Sequence, residues 1–255
     1  MTARSSNLRE TLLGGAQTLG VFLFLGSPDV AEVMAVAGFP VLLVDREHAA
    51  ADYATALAEL RAIRSVSDAF VMVRTRDNFP GAIKPMLDAG FDGIMVADIR
   101  TPEEAHAITD AARYAPMGRR GAHFTVSRAA RYGLDVARHS ETANQSILVC
   151  AMIESRQGLE NIDAIAAVEG IDMLFLGPLD LTADYGTFGN LASPELAAAL
   201  HKAEARITQS GKLLGGAALP GDTPVDLFSR GYSLVTSASD VGILREGALK
   251  CTQCK

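Results

Sequence analysis

Cysteine is too scarce in this chain for a disulfide framework. Cys150 lies inside an apolar run, where a free thiol behaves as a small hydrophobe, and Cys251 and Cys254 sit at the extreme C-terminus. No second pair completes a zinc tetrahedron with Cys251-x-x-Cys254, so that segment reads as a frayed helix end. Positive charge is also short. With 23 Lys and Arg against 30 Asp and Glu, the net charge is −7, and no global positive field exists to hold nucleic acid or acidic lipid. Nowhere do ~18 apolar residues follow one another, which excludes a membrane-spanning helix. The polar opening Met1 to Glu10 has no apolar core before a cleavage site, so a cytoplasmic protein is expected, with neither nucleic acid nor membrane as partner.

What is present is enough apolar material for a full core. The chain has 255 residues, 49% of them hydrophobic, and one α/β barrel takes about 250 residues. Short β-branched and apolar runs alternate with alanine-rich amphipathic stretches, the pattern of buried parallel strands covered by helices. Strands are expected at Leu19–Leu25, Val41–Asp45, Ala69–Arg74, Gly93–Ala97, Ile147–Ile153, Met173–Gly177, Leu213–Ala217 and Ser233–Thr236. Helices are expected at Pro28–Ala37, Tyr53–Arg64, Pro80–Ala89, Pro102–Arg113, Leu159–Val168, Pro194–Gln209 and Asp240–Lys250. Several begin with Pro in the first turn and several stop at Gly. No linker divides the units, so residues 1–255 read as a single α/β domain, a (β/α)8 TIM barrel.

One long interruption, Tyr114 to Gln145, separates the fourth helix from the fifth strand. It carries Arg119, Arg120, Arg128, Arg131 and Arg138, and a connection this long is usually functional or packs on a partner. A distal carboxylate of a substrate and a subunit contact both fit it.

In a parallel barrel the catalytic groups come from the C-terminal strand ends, where the following loops converge over the axis. Those ends carry Asp45-Arg46-Glu47-His48, Arg74, Asp98, Glu154 and Gly177-Pro178-Leu179-Asp180. Asp45 and Arg74, Arg74 and Asp98, and Glu154 and Asp180 are separated by 29, 24 and 26 residues, each about one βα unit. Glu154 and Asp180 therefore fall on neighbouring strands at one height. Two such carboxylates suit a hard divalent cation, and two ordinary helix caps or ion-pair members would look the same at this stage. Arg74 is either a fixed guanidinium for the charge of an enolate or the partner of Asp45 or Asp98. His48, near Asp45, is the candidate proton carrier, because a carboxylate fixes an imidazole's tautomer and raises its basicity.

An absence narrows the chemistry. A metal-free barrel aldolase needs a strand lysine for a Schiff base, yet Lys84, Lys202, Lys212, Lys250 and Lys255 all lie away from the C-terminal strand ends. A metal is the electron sink that is left.

These motifs together resemble the HpcH/HpaI family of class II, metal-dependent pyruvate aldolases. The resemblance runs through Ser27-Pro28-Asp29, Val44-Asp45-Arg46-Glu47-His48, Val73-Arg74, Leu87-Asp88-Ala89-Gly90 and Arg120-Gly121. It continues in Ile153-Glu154, Gly177-Pro178-Leu179-Asp180-Leu181 and the closing Gly231 to Leu244 segment. It implies a (β/α)8 barrel, commonly a hexamer whose last helix docks on a neighbouring subunit. It also implies a divalent cation (Mg2+, Mn2+ or Co2+) on Glu154 and Asp180, with Arg74 at the keto oxygen and His48 with Asp45 handling protons. Asp88 would support the site from a neighbouring position, and the backbone of Gly177, Pro178, Leu179 and Asp180 would receive the pyruvate carboxylate. The reaction implied is reversible retro-aldol cleavage of a 4-hydroxy-2-oxoacid to pyruvate and an aldehyde.

The chain departs from the family pattern at Ala49-Ala50, at Val96-Ala97-Asp98-Ile99, at Met152 and at Leu179. All lie on the active rim and suggest a bulkier, less polar wall and an unusual second substrate. Decarboxylation of oxaloacetate or a related β-keto acid through the same enolate is the alternative reaction. A non-catalytic binding protein is the alternative of another class.

Overall fold

The computed structural model describes residues 6–252, so Cys254 and the first residues of the Met1 to Glu10 segment lie outside the described residues. The eight apolar runs form parallel strands that close in chain order into a barrel. They are β1 (Thr18–Leu23), β2 (Val41–Asp45), β3 (Phe70–Arg74), β4 (Gly93–Val96), β5 (Leu148–Ile153), β6 (Met173–Leu176), β7 (Leu213–Ala217) and β8 (Tyr232–Ser239). The covering helices include α2 (Pro28–Val36), α3 (Tyr53–Val66), α4 (Ile83–Ala89), α5 (Pro102–Ala112) and α10 (Pro194–Gln209). The fold is therefore the (β/α)8 barrel that the alternation predicts.

Side chains alternate along each strand, and the two rows have different neighbours. Val41 and Leu43, Met72, Met95, Cys150 and Met152, and Met173 with Phe175 fill the inside of the barrel. Leu42 and Val44, Val71 and Val73, Val149 and Ile153, and Leu174 with Leu176 pack outward against the helices. Continuing the inward rows past the last apolar layer brings Asp45, Arg74 and Glu154 to the mouth. Their positions follow from parity.

The opposite mouth is closed by a helix that hydrophobic periodicity does not reveal. Helix α1 (Leu8–Leu13) starts in a capping box of Asn7 and Glu10 and inserts Leu8 and Leu12, both fully buried, into the inner cluster. Leu8→Ala is expected to cost about 2–5 kcal/mol in a urea titration. An unchanged midpoint would mean that α1 does not plug the barrel.

Other departures from the sequence reading are local. The helix expected at Leu159–Val168 is two short ones, α7 (Arg156–Glu160) and α8 (Ile162–Ala166), broken at Asn161. The stretch expected at Pro80–Ala89 opens as a 3-10 turn, Pro80–Ala82. Residue 180 belongs to α9 (Pro178–Asp184) and not to a strand, because Pro178 removes the donor that would continue the ladder and opens a helix instead. A further helix, α11 (Pro224–Ser229), precedes β8.

The arginine-rich connection is ordered and contains α6 (Val136–Ser146). Because it follows a helix and precedes a strand, it lies at the N-terminal rim, opposite the strand ends that carry Asp45 and Glu154. It is tied there by Arg120 on Asp88 at 2.6 Å and by Arg128 donating to the Ala89 carbonyl at 2.8 Å. Within one chain it cannot reach a substrate at the other mouth.

Candidate active site

The turn after β2 carries the first group of polar side chains. Asp45 is buried and is paired in register with Arg74 across β2 and β3. Its Oδ1 accepts from Arg74 Nε at 2.5 Å, and its Oδ2 accepts the backbone N–H of His48 at 2.7 Å and of Ala49 at 3.1 Å. One carboxylate thus fixes both a guanidinium and a turn. Arg74 Nη1 lies 2.8 Å from Glu47 Oε2, and its guanidinium sits over the Phe22 ring at 5.1 Å. The partners of Arg74 are therefore Asp45 and Glu47. Asp98 turns away, pairing with Arg100 at 2.7 Å.

Glu154 follows β5 and is only 6% exposed. Its Oε1 accepts the N–H of Asp98 at 2.8 Å, made possible by a left-handed backbone at Asp98, φ 53°. Its Oε2 is buried and has no hydrogen-bond partner. Burial raises the Glu154 carboxyl to about 8, with further upward pushes from Glu47 and then Asp180. Burial likewise raises Glu47, against the opposing pull of Arg74. Three carboxylates thus converge on a region where Arg74 is the cation that acts on both Glu47 and Glu154.

This is the charge imbalance that a bound divalent cation would relieve, and the unpartnered Glu154 oxygen is a free ligand atom. Gly177 completes the cradle. A Cβ there would stand 2.7 Å from Glu154 Oε2, so any larger residue would displace the carboxylate. Among the described residues no group of three or more His, Cys, Asp or Glu is arranged around one metal position. A two-carboxylate site is compatible with that, since hard cations readily keep water and substrate oxygens as their other ligands.

The register pairs Ile153 with Leu176, so Glu154 is level with Gly177, and Asp180 approaches from the first turn of α9. Asp180 is exposed at the mouth, and Leu179 beside it is 56% exposed. His48 is exposed too, with Nε2 at 3.8 Å from Glu47 Oε2. Asp45, His48, Arg74, Glu154, Gly177, Pro178, Leu179 and Asp180 therefore gather at one mouth. Asp88 does not join them. It sits near the C-terminal end of α4, at the N-terminal rim, because a helix that follows a strand runs back to where the next strand begins.

Glu47 is the site residue whose role the sequence reading leaves unassigned. The signal was present: it stands two residues after Asp45, which is the spacing of side chains that share a face. Phe22 and Phe24, beneath the guanidinium, carry no such signal.

A pH dependence follows from the Glu154 shift. With its carboxyl near 8, the cation-free protein carries a proton there at pH 7, and that proton must leave for the oxygen to bind a cation. Apparent affinity for Mg2+ or Mn2+ is expected to rise by up to about tenfold per pH unit below 8 and to level off above it. Calorimetry in buffers of different ionisation enthalpy should find about one proton released at pH 7. Affinity that is flat from pH 6 to 8 would contradict the placement of the cation on Glu154.

Comparison with known proteins gives a consistent picture. The sequence profile of the HpcH/HpaI aldolase/citrate lyase family matches residues 18–242. A hydroxypyruvate/pyruvate aldolase of Deinococcus radiodurans is 40% identical over 211 residues, 83% of this chain and 76% of that protein. A 5-keto-4-deoxy-D-glucarate aldolase of Shigella boydii is 36% identical over 237 residues, 91% of this chain and 89% of that one. Among solved structures, an HpcH/HpaI aldolase/citrate lyase family protein from Burkholderia cenocepacia superposes with a TM-score of 0.89 at 33% identity, covering 96% of this chain and 97% of the other.

Proposed function

Because the chain belongs to the HpcH/HpaI aldolase/citrate lyase family and is a carbon–carbon lyase of the aldolase kind, we propose that Glu154 and Asp180 hold the divalent cation, Mg2+, Mn2+ or Co2+, with which it cleaves a 4-hydroxy-2-oxoacid to pyruvate and an aldehyde. The observation that carries this reading is the buried, unpartnered Oε2 of Glu154 among three converging carboxylates. When bound, the cation withdraws electron density from the 2-oxo group of the substrate.

The chain's own residues supply the rest. Arg74, locked by Asp45 and Glu47, presents a fixed guanidinium to the 2-oxo oxygen and stabilises the charge that develops there. The first-turn N–H groups of α9 at Leu179 and Asp180 have no partner four residues back and receive the substrate carboxylate, with Gly177 and Pro178 shaping the floor. His48, carried on the turn that Asp45 holds, takes the proton of the 4-hydroxyl. The electrons of the broken C3–C4 bond then pass into the pyruvate enolate, and C4 leaves as the aldehyde carbon. The same proton returns to C3. Met152, whose Sδ lies 3.8 Å from Arg74 Nη1, and the half-exposed Leu179 make an apolar wall for the second substrate.

The proposed unit is one barrel per chain, assembled as a hexamer in the cytoplasm. Among the described residues no helix is long and apolar enough to cross a membrane. Helix α12 (Asp240–Thr252) has Asp240 as its one buried residue and leaves Val241, Ile243, Leu244 and Leu249 exposed, which supports docking on a neighbouring copy. Asp88, on the far rim of its own barrel, can serve the site only from such a neighbour.

The test is product formation from pyruvate and a panel of aldehydes with Mg2+ or Mn2+, resolved by chiral chromatography, beside oxaloacetate as a competing substrate. A 4-hydroxy-2-oxoacid product supports the proposal. Turnover of oxaloacetate alone assigns a decarboxylase that uses the same enolate, and no turnover of either overturns the reading.

A further inference from the structure

Past its last paired residues, the first strand is held by a side chain instead of a ladder. The register of β1 with β2 stops at Leu23 and that with β8 stops at Phe22, so the N–H groups of Phe24 and Leu25 fall outside both ladders. Asp240 takes the two of them. Its Oδ1 accepts from Phe24 at 2.9 Å and its Oδ2 from Leu25 at 3.0 Å, while Oδ1 also accepts the N–H of Val241 at 2.7 Å. Asp240 is 1% exposed and is the buried residue of α12. It stands where β8 becomes α12, so its carboxylate ties that junction to the end of β1. Capping alone does not account for this, since a helix cap serves amides of its own first turn and two of the three donors here belong to the β1 end.

What the tie fixes is an aromatic platform. Phe22 and Phe24, two residues apart, point the same way and stack with ring centroids 5.2 Å apart and planes at 16°. Phe22 is braced from within the barrel by the Phe175 ring, edge-on at 6.3 Å. Phe24 is half-buried at the mouth, where its backbone sets its place. Arg74 lies over both rings, its guanidinium carbon 5.1 Å from the Phe22 centroid and 5.9 Å from that of Phe24. Asp45 and Glu47 hold the edges of the guanidinium through Nε and Nη1, whereas the rings hold its face. A planar fork held only at its edges can tilt about the line joining those contacts, and a stacked face removes that freedom.

We infer that Asp240 is a positioning residue, which holds the backbone of Phe24 and thereby the two-ring platform that sets the tilt of Arg74. The inference rests on the proposed lyase reaction, in which that guanidinium meets the 2-oxo oxygen. Asparagine in place of Asp240 keeps the shape but offers one acceptor oxygen where the carboxylate offers two. One β1 amide then faces an NH2 donor, and Phe24 is released. A tilted guanidinium loses more of its hold on the charge of the transition state than on the ground state, so kcat falls and KM is little changed.

The test uses the full chain with Mg2+ or Mn2+ and compares wild type with Asp240→Asn, Phe24→Leu and the double variant. Asp240→Asn is expected to lower kcat about 3- to 10-fold, within what a disturbed cation–π contact allows, with KM for the oxoacid little changed. In the Phe24→Leu background the same substitution should change kcat by less than about twofold, because the ring through which Asp240 acts is gone. Two readouts need no turnover. The ring-current shift of the Arg74 Nε–H proton, read by NMR, should move in Asp240→Asn toward its position in Phe24→Leu, and the wild-type amides of Phe24 and Leu25 should exchange as slowly as those of β1. An equal loss of kcat in both backgrounds, or an unmoved Arg74 signal, would overturn the inference. So would fast exchange at both amides, which is read on the native chain and decides even where a variant does not fold. An inactive wild type whose Arg74 signal responds as expected would instead point the failure at the proposed reaction.

Discussion

Glu154→Gln is expected to lower turnover by at least roughly 10^3-fold, since a cation's contribution to transition-state charge is several kcal/mol and each decade takes about 1.4. The same substitution should not harm the cation-free fold. The Glu154 carboxyl is raised from 4.5 to about 8 on folding, so the folded state binds more protons than the unfolded one across that window. A carboxyl shifted in this direction costs stability increasingly as pH rises from about 4.5 to about 8. Glutamine removes that charge and keeps the acceptor for the Asp98 N–H. The cation-free variant should therefore melt at or above wild type at pH 8, and the gap should close near pH 5. An inactive variant that is also unfolded would contradict this, as would an active one.

Arg74→Lys carries the second large effect, and it couples activity to stability. Arg74 is buried, donates from Nε to Asp45 and faces Glu47 through Nη1, and rests on Phe22. An ammonium cannot bridge two carboxylates through a rigid planar fork or stack on the ring in the same way. We expect kcat to fall by about 10^2- to 10^3-fold, the scale seen when one donor to a developing oxyanion is removed. Arg74→Met should in addition lose about 3–5 kcal/mol of stability, because it leaves the buried Asp45 carboxylate, with the half-buried Glu47 beside it, without their cation. Circular dichroism melts beside steady-state kinetics would separate the two effects. A lysine variant with full kcat would remove Arg74 from the reaction and leave it a structural ion pair.

How much of this was legible in the sequence differs by element. The borders of β2 and β7 coincide with the expected Val41–Asp45 and Leu213–Ala217, since each is a continuous apolar run bounded by turn residues. The polar helices were not visible. Helix α6 buries only Ala143, so it offers no apolar stripe, and α1 is one and a half turns long with two buried leucines. The two carboxylates proposed to hold the cation were brought together by their spacing, but their geometry was not legible: the spacing puts Asp180 on a strand, and it comes from α9, because Pro178 ends the sheet two residues earlier. The long arginine-rich connection could have been assigned to the far rim from its place between a helix and a strand. Glu47 and Arg46 show the limit of reading a charged run as a run. In the bend after β2, Glu47 comes within 2.8 Å of Arg74 while Arg46 beside it is buried without reaching that guanidinium, a division that a run of charges does not reveal.

The central claim, that this mouth forms the enolate of pyruvate with a cation on Glu154, is tested most directly by exchange of the pyruvate methyl protons in D2O. Proton NMR should show the methyl signal disappear with wild type and Mg2+ or Mn2+, stop when a chelator is added, and stay absent from Glu154→Gln. Exchange that persists without a cation, or in Glu154→Gln, would contradict the account.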